Sequence, residues 1–375
     1  MISWLKDSFL NFPGDRLSEK IIVIESDDWG AIRCPDANDY EGFKKHFSGR
    51  MKSPYLKYDT LASNDDLEIL FNSLSSFKDS LGNRPQITFN SIMANPDFDK
   101  IRESDYEEYH FELFTNTLAR FSNHNKAFDL WKKAMGEGVM WPQFHGREHV
   151  NVPLWLKLLK EGNEPILKAF SFRTWSAPHE LIGSKLRLQA SLDFLDEDPI
   201  DYRKEYVAEG LRLFEKVFGF QSVSFIPPNF VSDATVLDTS VSSGVKAIQG
   251  MKYQVLPKGG RTEVPKGLVR RKFKTQGEPI DLVRNCVFEP SLSKSDFDDV
   301  GSCLKQISNS FLFGKPAIIT AHRINFIGAI DQRNRDKNIS SLEKILSAIV
   351  RKWPDVVFMN SQQLIEVSTK QRIEA

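Results

Sequence analysis

Short runs of β-branched and other apolar residues recur along this 375-residue chain, and stretches of helical periodicity lie between them. That alternation leaves few folds open, because parallel strands need long crossover connections and the connecting helices must cover the sheet. The runs are Ile21–Ile24, Gln86–Phe89, Gly138–Trp141, Val223–Ile226, Val245–Ile248, Leu282–Val283 continuing to Val287–Phe288, Ala317–Thr320 and Val356–Phe358. Between them, Leu67, Leu70, Phe71, Leu74, Phe77 and Leu81 keep helical spacing, with Ser63 and Asp66 placed as a capping box. Tyr206, Val207, Leu211, Phe214 and Val217 predict a second helix ending at Gly219. Ile339, Leu342, Ile345, Leu346, Ile349 and Val350 predict a third, stopped before Pro354. The expectation is an α/β protein with mainly parallel strands.

No Gly/Ser/Pro-rich linker or internal repeat divides the chain, so residues 1–375 are read as a single domain with a core of about 20–360. Two segments, about 97–137 and 154–220, are long for simple connections and are read as helical insertions that shape a cleft above the strand ends. Lys and Arg number 50, as do Asp and Glu, so there is no excess charge to neutralise phosphates and nucleic acid is not an expected partner. The basic string Arg270, Arg271, Lys272 and Lys274 reads as a solvated loop. Cys34, Cys286 and Cys303 make neither a CxxC pair nor a disulfide framework, and are expected as small buried hydrophobes. Lys6 and Asp7 interrupt the apolar start (Ile2, Leu5, Phe9, Leu10), which therefore reads as packing against the domain rather than a secretory signal. No stretch is long enough for an integral membrane segment, and the expected location is cytoplasmic.

Four strings sit where strands should end. Ser26-Asp27-Asp28-Trp29-Gly30 follows the first run; adjacent carboxylates in a dry setting repel and lose hydration unless a cation relieves them, while a solvated turn is the plainer reading. Trp141-Pro142-Gln143-Phe144-His145-Gly146-Arg147-Glu148-His149 holds two of the seven histidines four residues apart, able to converge on one metal if the backbone turns there. The same string matches H-x-x-E-H, in which Glu148 would activate water for a zinc metallopeptidase. That chemistry wants a regular helix, whereas Pro142 and Gly146 predict a loop, with Asn151 capping a new helix that has Pro153 in its first turn. Ile226-Pro227-Pro228-Asn229 is a stiffened loop, and Thr320-Ala321-His322-Arg323 carries a histidine at the last strand end.

Taken in order, these strings resemble the polysaccharide deacetylase family, the NodB-like branch of carbohydrate esterases. The resemblance runs from about residue 20 to 326, concentrated in Asp27-Asp28, His145/His149, Pro227-Pro228-Asn229 and His322. It implies a distorted (β/α) barrel and a metal-dependent deacetylase acting on an N-acetyl or O-acetyl group of a sugar or polysaccharide intermediate. By resemblance Asp28, His145 and His149 would hold a divalent metal, most often Zn2+, with Co2+, Ni2+ or Mn2+ as alternatives. Ligand atoms would then lie roughly 2–2.3 Å from a common ion. Asp27 would be the general base and His322 the general acid, with Trp29, Asn229, Arg284 and Arg323 as substrate-binding or orienting residues. The chain departs from the family at Gly146, where Ser or Thr is usual, and at Ile226, where the family's base-orienting arginine stands. It also lacks a clear Asp-Trp motif to hold the catalytic histidine. Arg284 and then Arg323 are the substitutes expected to orient Asp27, and Arg284→Met is expected to cut turnover while leaving folding nearly unchanged. A non-catalytic carbohydrate-binding relative is the remaining alternative, and the oligomeric state is open.

Overall fold

The computed structural model describes residues 8, 10–34, 37–194, 200–259, 268–269 and 279–374. Along these run β1 (Lys20–Trp29), β2 (Ile87–Ile92), β3 (Ala94–Pro96), β4 (Phe111–Leu113), β5 (Met140–Gly146), β6 (Ser224–Phe225), β7 (Ala247–Gly250), β8 (Tyr253–Gln254), β9 (Leu268–Val269), β10 (Ile280–Val283), β11 (Cys286–Val287), β12 (Ala317–His322) and β13 (Val356–Met359). Each of the eight apolar runs contributes to a strand of one nine-stranded sheet, ordered β10-β7-β6-β5-β2-β1-β12-β11. Every pairing within it is parallel, and β13 lies beside Lys20–Val23 of β1 where β2 has not yet begun. β1 is buried from Ile21 to Trp29, as expected for a strand covered on both faces.

The run from Leu282 to Phe288 is two strands rather than one. β10 and β11 stand at opposite ends of the pairing order, yet just Arg284 and Asn285 separate them in the chain. The Arg284 amide donates to the Gly250 carbonyl of β7 at 2.9 Å, and the Asn285 amide donates to the Ile318 carbonyl of β12 at 3.1 Å. One stretch of backbone therefore leaves one edge of the sheet and joins the other, rolling the sheet into a distorted barrel. This is the fold expected from the resemblance, a (β/α) barrel of the polysaccharide deacetylase type.

The helix Asn64–Ser75 begins at the expected capping box: Asp66 donates its amide to Ser63 Oγ at 3.1 Å, and the Ser63 amide donates to Asp66 Oδ2 at 2.9 Å. It stops at Ser75, short of the end that Phe77 and Leu81 suggested. Asp79 takes over the backbone there, accepting from the amides of Leu81 and Asn83 at 2.9 and 2.8 Å, and Leu81 is left 71% exposed. The helix Val152–Lys160 is capped by the Asn151 side chain, and Ile200–Phe218 and Gln332–Lys352 form where periodicity placed them. The long segments 97–137 and 154–220 supply helices and β4, which pairs antiparallel with β3, and their Phe98, Trp131, Trp155 and Phe170 join the main apolar cluster. The three cysteines are buried and form no disulfide among the described residues. The basic string at 270–274 and the start at Ile2, Leu5 and Phe9 lie outside the described residues. Among the described residues no helix is long and apolar enough to cross a membrane.

Candidate metal centre

Two local irregularities deliver the site. Neighbours on a regular strand face opposite ways, so Asp27 and Asp28 should not share one cavity. The β1–β2 register shifts between Ser26 and Trp29, and Asp28 takes φ 71°, which turns both carboxylates to the same side. Opposite, Ser91 pairs with Phe144 and Ile92 with Gly146, leaving His145 as the extra residue of a bulge on β5. Asp27 and His322 are register partners across β1 and β12. All of these side chains open onto a cavity of about 550 Å³ at the C-terminal ends of the strands. A shallower depression of about 650 Å³, lined by Tyr40, Lys44, Lys57, Asp331 and Arg333 among others, contains none of the candidate residues.

Asp28, His145 and His149 converge, with one ligand atom from each all lying within 4.8 Å of one another. Both imidazoles aim Nε2 at the same oxygen, Asp28 Oδ1, at 3.3 Å for His145 and 3.1 Å for His149. His145 Nδ1 lies 2.7 Å from the Ile226 carbonyl, which can only accept, so this nitrogen carries the proton and a neutral ring turns its Nε2 lone pair to the carboxylate. Lone pair against carboxylate is repulsive unless a cation or a second proton lies between them. Two nitrogens and one oxygen, nearly excluded from water, match the ligand chemistry of a divalent transition metal with open positions. With protons on the Nε2 atoms in place of a cation, burial opposes ionisation of Asp28, but His149 and His145 hold its carboxyl well below the ordinary range.

Asp27 is clamped separately. Arg284 donates from Nη1 to Oδ2 and from Nη2 to Oδ1, both at 2.6 Å, and Asn90 Nδ2 donates to Oδ1 at 2.7 Å. The guanidinium is itself held, with Nε on Glu25 at 2.7 Å and Nη1 on Thr320 Oγ1 at 2.9 Å, and its side chain has no exposed surface. Burial would raise the Asp27 pKa; the Arg284 charge and hydrogen bonds outweigh it and lower the value to about 2. Arg284 stands at the barrel seam, whereas Ile226 contributes just its carbonyl, to His145.

His322 faces the cavity from the end of β12, with Nε2 3.7 Å from Asp27 Oδ2. Its Nδ1 meets Glu289 Oε1 at 2.5 Å, and Asn325 Nδ2 fixes the other Glu289 oxygen at 2.8 Å. Burial disfavours the imidazolium, yet Glu289, followed by Asp27 and Asp28, raises the His322 pKa to about 10. Glu289 thus fixes the His322 ring and favours its protonated form. Sequence reasoning overlooked it, although it follows β11 directly. Asn90 was overlooked as well.

Other residues lie elsewhere. The Trp29 ring stacks on Phe89, centroids 3.6 Å apart, and is 1% exposed within the core rather than on the cavity wall. Arg323 turns away from Asp27 and binds Asp59 Oδ1 at 2.8 Å. Asn229 does line the cavity, at φ 52° beside Phe230 at φ 60°. The H-x-x-E-H reading fails on geometry. His145 is on a strand, His149 is in the loop after it, and Glu148 is turned from the cavity onto Arg147 at 2.6 and 2.8 Å. Gly146 has φ 140°, and a Cβ there would collide with the Tyr206 hydroxyl, which donates to the Glu148 carbonyl. The phenol therefore occupies the space where the family's Ser or Thr side chain would stand and bonds to the same loop.

No protein-family model matches the chain, and no curated protein matches it either. Among solved structures it is similar to a protein described as a glycoside hydrolase/deacetylase from Parabacteroides distasonis, at TM-score 0.50 and 9% identity over 96% of this chain and 73% of that one. It is also similar to a protein described as a polysaccharide deacetylase from Mycobacterium smegmatis, at TM-score 0.47 and 13% identity over 96% and 95% of the two chains. A third is a 4-alpha-glucanotransferase from Thermococcus litoralis, at TM-score 0.45 and 10% identity over 94% of this chain and 40% of that one. At these identities the likeness to the first concerns the fold.

Proposed function

We propose that this chain is a metal-dependent hydrolase of the polysaccharide deacetylase type, which removes an acetyl group from an amide or ester on a carbohydrate. One observation carries the reading. A three-ligand cluster, a carboxylate held ionised and a histidine held protonated surround one cavity, and the last two are each supported by a buried partner. Paired groups pushed to opposite protonation states are what acid–base catalysis requires.

Asp28, His145 and His149 would hold the cation, which when bound supplies Lewis acidity to the substrate carbonyl and the attacking water. Asp27 accepts the water proton: Arg284 and Asn90 fill three of its roughly four acceptor positions and leave one for the cavity. His322 keeps Nδ1 on Glu289 and offers the Nε2 proton to the departing nitrogen or oxygen as the acyl bond breaks. The amine or alcohol leaves neutral, and acetate remains with the enzyme.

The direct test is acetate release from N-acetylated hexosamines, their oligomers and O-acetylated sugars by zinc-loaded protein. We expect turnover that a chelator removes and zinc restores. No acetate from any of them, with metal bound in the expected amount, would overturn the proposal. A second expectation concerns pH. His322 acts in its protonated form, so the rate should fall as pH rises through its pKa near 10. Glu289→Gln removes the carboxylate that raises this pKa and should move the alkaline fall to lower pH, with little change on the acid side. An unmoved alkaline limb would assign the acid elsewhere.

A further inference from the structure

One carboxylate serves two buried guanidiniums beside the cavity. Asp59 Oδ2 accepts from Arg33 Nε at 2.8 Å, and Oδ1 accepts from Arg323 Nη2 at 2.8 Å and Nε at 3.2 Å. Arg33, Arg323 and Asp59 are 5%, 1% and 2% exposed, so the cluster carries one positive charge in excess, away from bulk water. Arg323 has further use for its fork, donating Nη1 to the Ala31 carbonyl at 2.6 Å. Arg33 does not: its Nη1 is buried without a hydrogen-bond partner. The next carboxylate, Asp28, makes a looser ion pair with Arg33, its Oδ2 4.0 Å from Nη2 and beyond hydrogen-bond reach, while its Oδ1 faces the two imidazoles.

The Arg33 guanidinium is also fixed in place. Its carbon lies 5.0 Å from the Tyr55 ring centre and 4.9 Å from that of Trp175, and it lines the same cavity as Asp28, His149 and His322. Arg187, exposed, lines that cavity too and has no ion-pair partner among the described residues. A buried donor left unpaired costs about 1–3 kcal/mol, and more when charged. A sugar hydroxyl would satisfy the donor and leave the charge. A carboxylate or a phosphate would satisfy both, in the forked geometry a guanidinium favours.

We infer that the substrate is anionic: it carries a carboxylate or a phosphate group that docks on Arg33 and Arg187 while its acyl group lies at Asp28, His145 and His149. The inference rests on the deacetylase reading and narrows its substrate class.

Binding separates the two claims. Zinc-loaded Asp27→Asn protein, full length, is titrated by calorimetry with N-acetylglucosamine, its 6-phosphate and N-acetylmuramic acid, and wild-type acetate release is measured on the same three compounds. We expect at least one anionic compound to bind 10-fold or more tightly than the neutral one, and the tighter of the two identifies phosphate or carboxylate. Arg33→Gln should bring that preference within 3-fold of unity, and Arg33→Lys should restore part of it. Arg187→Gln, at an exposed position that folding does not depend on, should lower the preference and decides the matter if Arg33→Gln does not fold. Equal binding of the three compounds overturns the inference. So does a preference that persists in folded Arg33→Gln or in Arg187→Gln, since the anion would then sit on the metal. Absence of acetate release with the preference intact would count against the deacetylase reading and not against the anion site.

Discussion

Asp27→Asn should lower kcat by about 10²–10⁴-fold, the range for loss of a positioned general base, and leave bound zinc unchanged. The amide is nearly isosteric with the carboxylate, and Arg284 keeps Glu25 as a counter-ion, so the fold should persist. His145→Ala, by contrast, should lose metal and turnover together, because it removes a proposed ligand that the Ile226 carbonyl orients. Metal analysis beside steady-state kinetics checks both. If Asp27→Asn kept its activity on a confirmed substrate, another group would be the base. Glu148 does not fit that role, being bound to Arg147 and turned from the cavity.

Arg284→Met should have the largest effect on stability. Sequence alone suggested a variant that folds almost normally; complete burial between Glu25 and Asp27 changes that expectation. Removing one partner of a buried ion pair costs about 3–5 kcal/mol, because the remaining charge is left uncompensated. Turnover should also fall by at least about 10²-fold, the scale associated with a misplaced catalytic group. The pH dependence gives an independent sign. In the wild type Asp27 has its pKa depressed from 3.8 to about 2, so its contribution to stability is complete above the unfolded value and is lost as pH falls toward 2. Without the guanidinium, burial is opposed by the weaker pulls of His145 and His322, so the Asp27 pKa rises and its ionised form carries a penalty relative to the wild type. That penalty fades as pH drops and the carboxyl protonates. The stability gap between the metal-free proteins, measured by denaturant unfolding, should therefore narrow as pH is lowered from 7 through the carboxylate range. A gap constant with pH would show that the buried charge is not its cause.

How far the sequence could be read followed from the range of each signal. Apolar runs and caps act over a few residues, so the eight strand segments and the Ser63–Asp66 box were legible, as were the order of the four strings and the choice of Arg284 over Arg323. What depended on distant backbone was not. The bulges at Asp28 and His145 exist because neighbouring strands go out of register, which no single string reveals. Glu289, Asn90 and Arg33 are lone polar residues that gain meaning from a fold bringing them to His322, Asp27 and Asp59. Tyr206 reaches the Gly146 loop from a helix 60 residues on, at Ile200–Phe218. Trp29, expected from the resemblance as a substrate-binding or orienting residue, instead packs its indole on Phe89 in the core.

The seam at Arg284 and Asn285 has one more consequence. A curled sheet left open would present two rows of unpaired amides and carbonyls to any passing strand, a template for association with other chains. Here the two-residue link Arg284–Asn285 ties the two edge strands together at one end, and the Arg284 side chain is also the clamp on Asp27. Pulling the two edge strands apart would separate the edges and loosen the hold on Asp27, the proposed base, in the same movement, so opened molecules would be expected to lose activity and to associate more readily. Selection against aggregation and selection for catalysis would then bear on the same two residues.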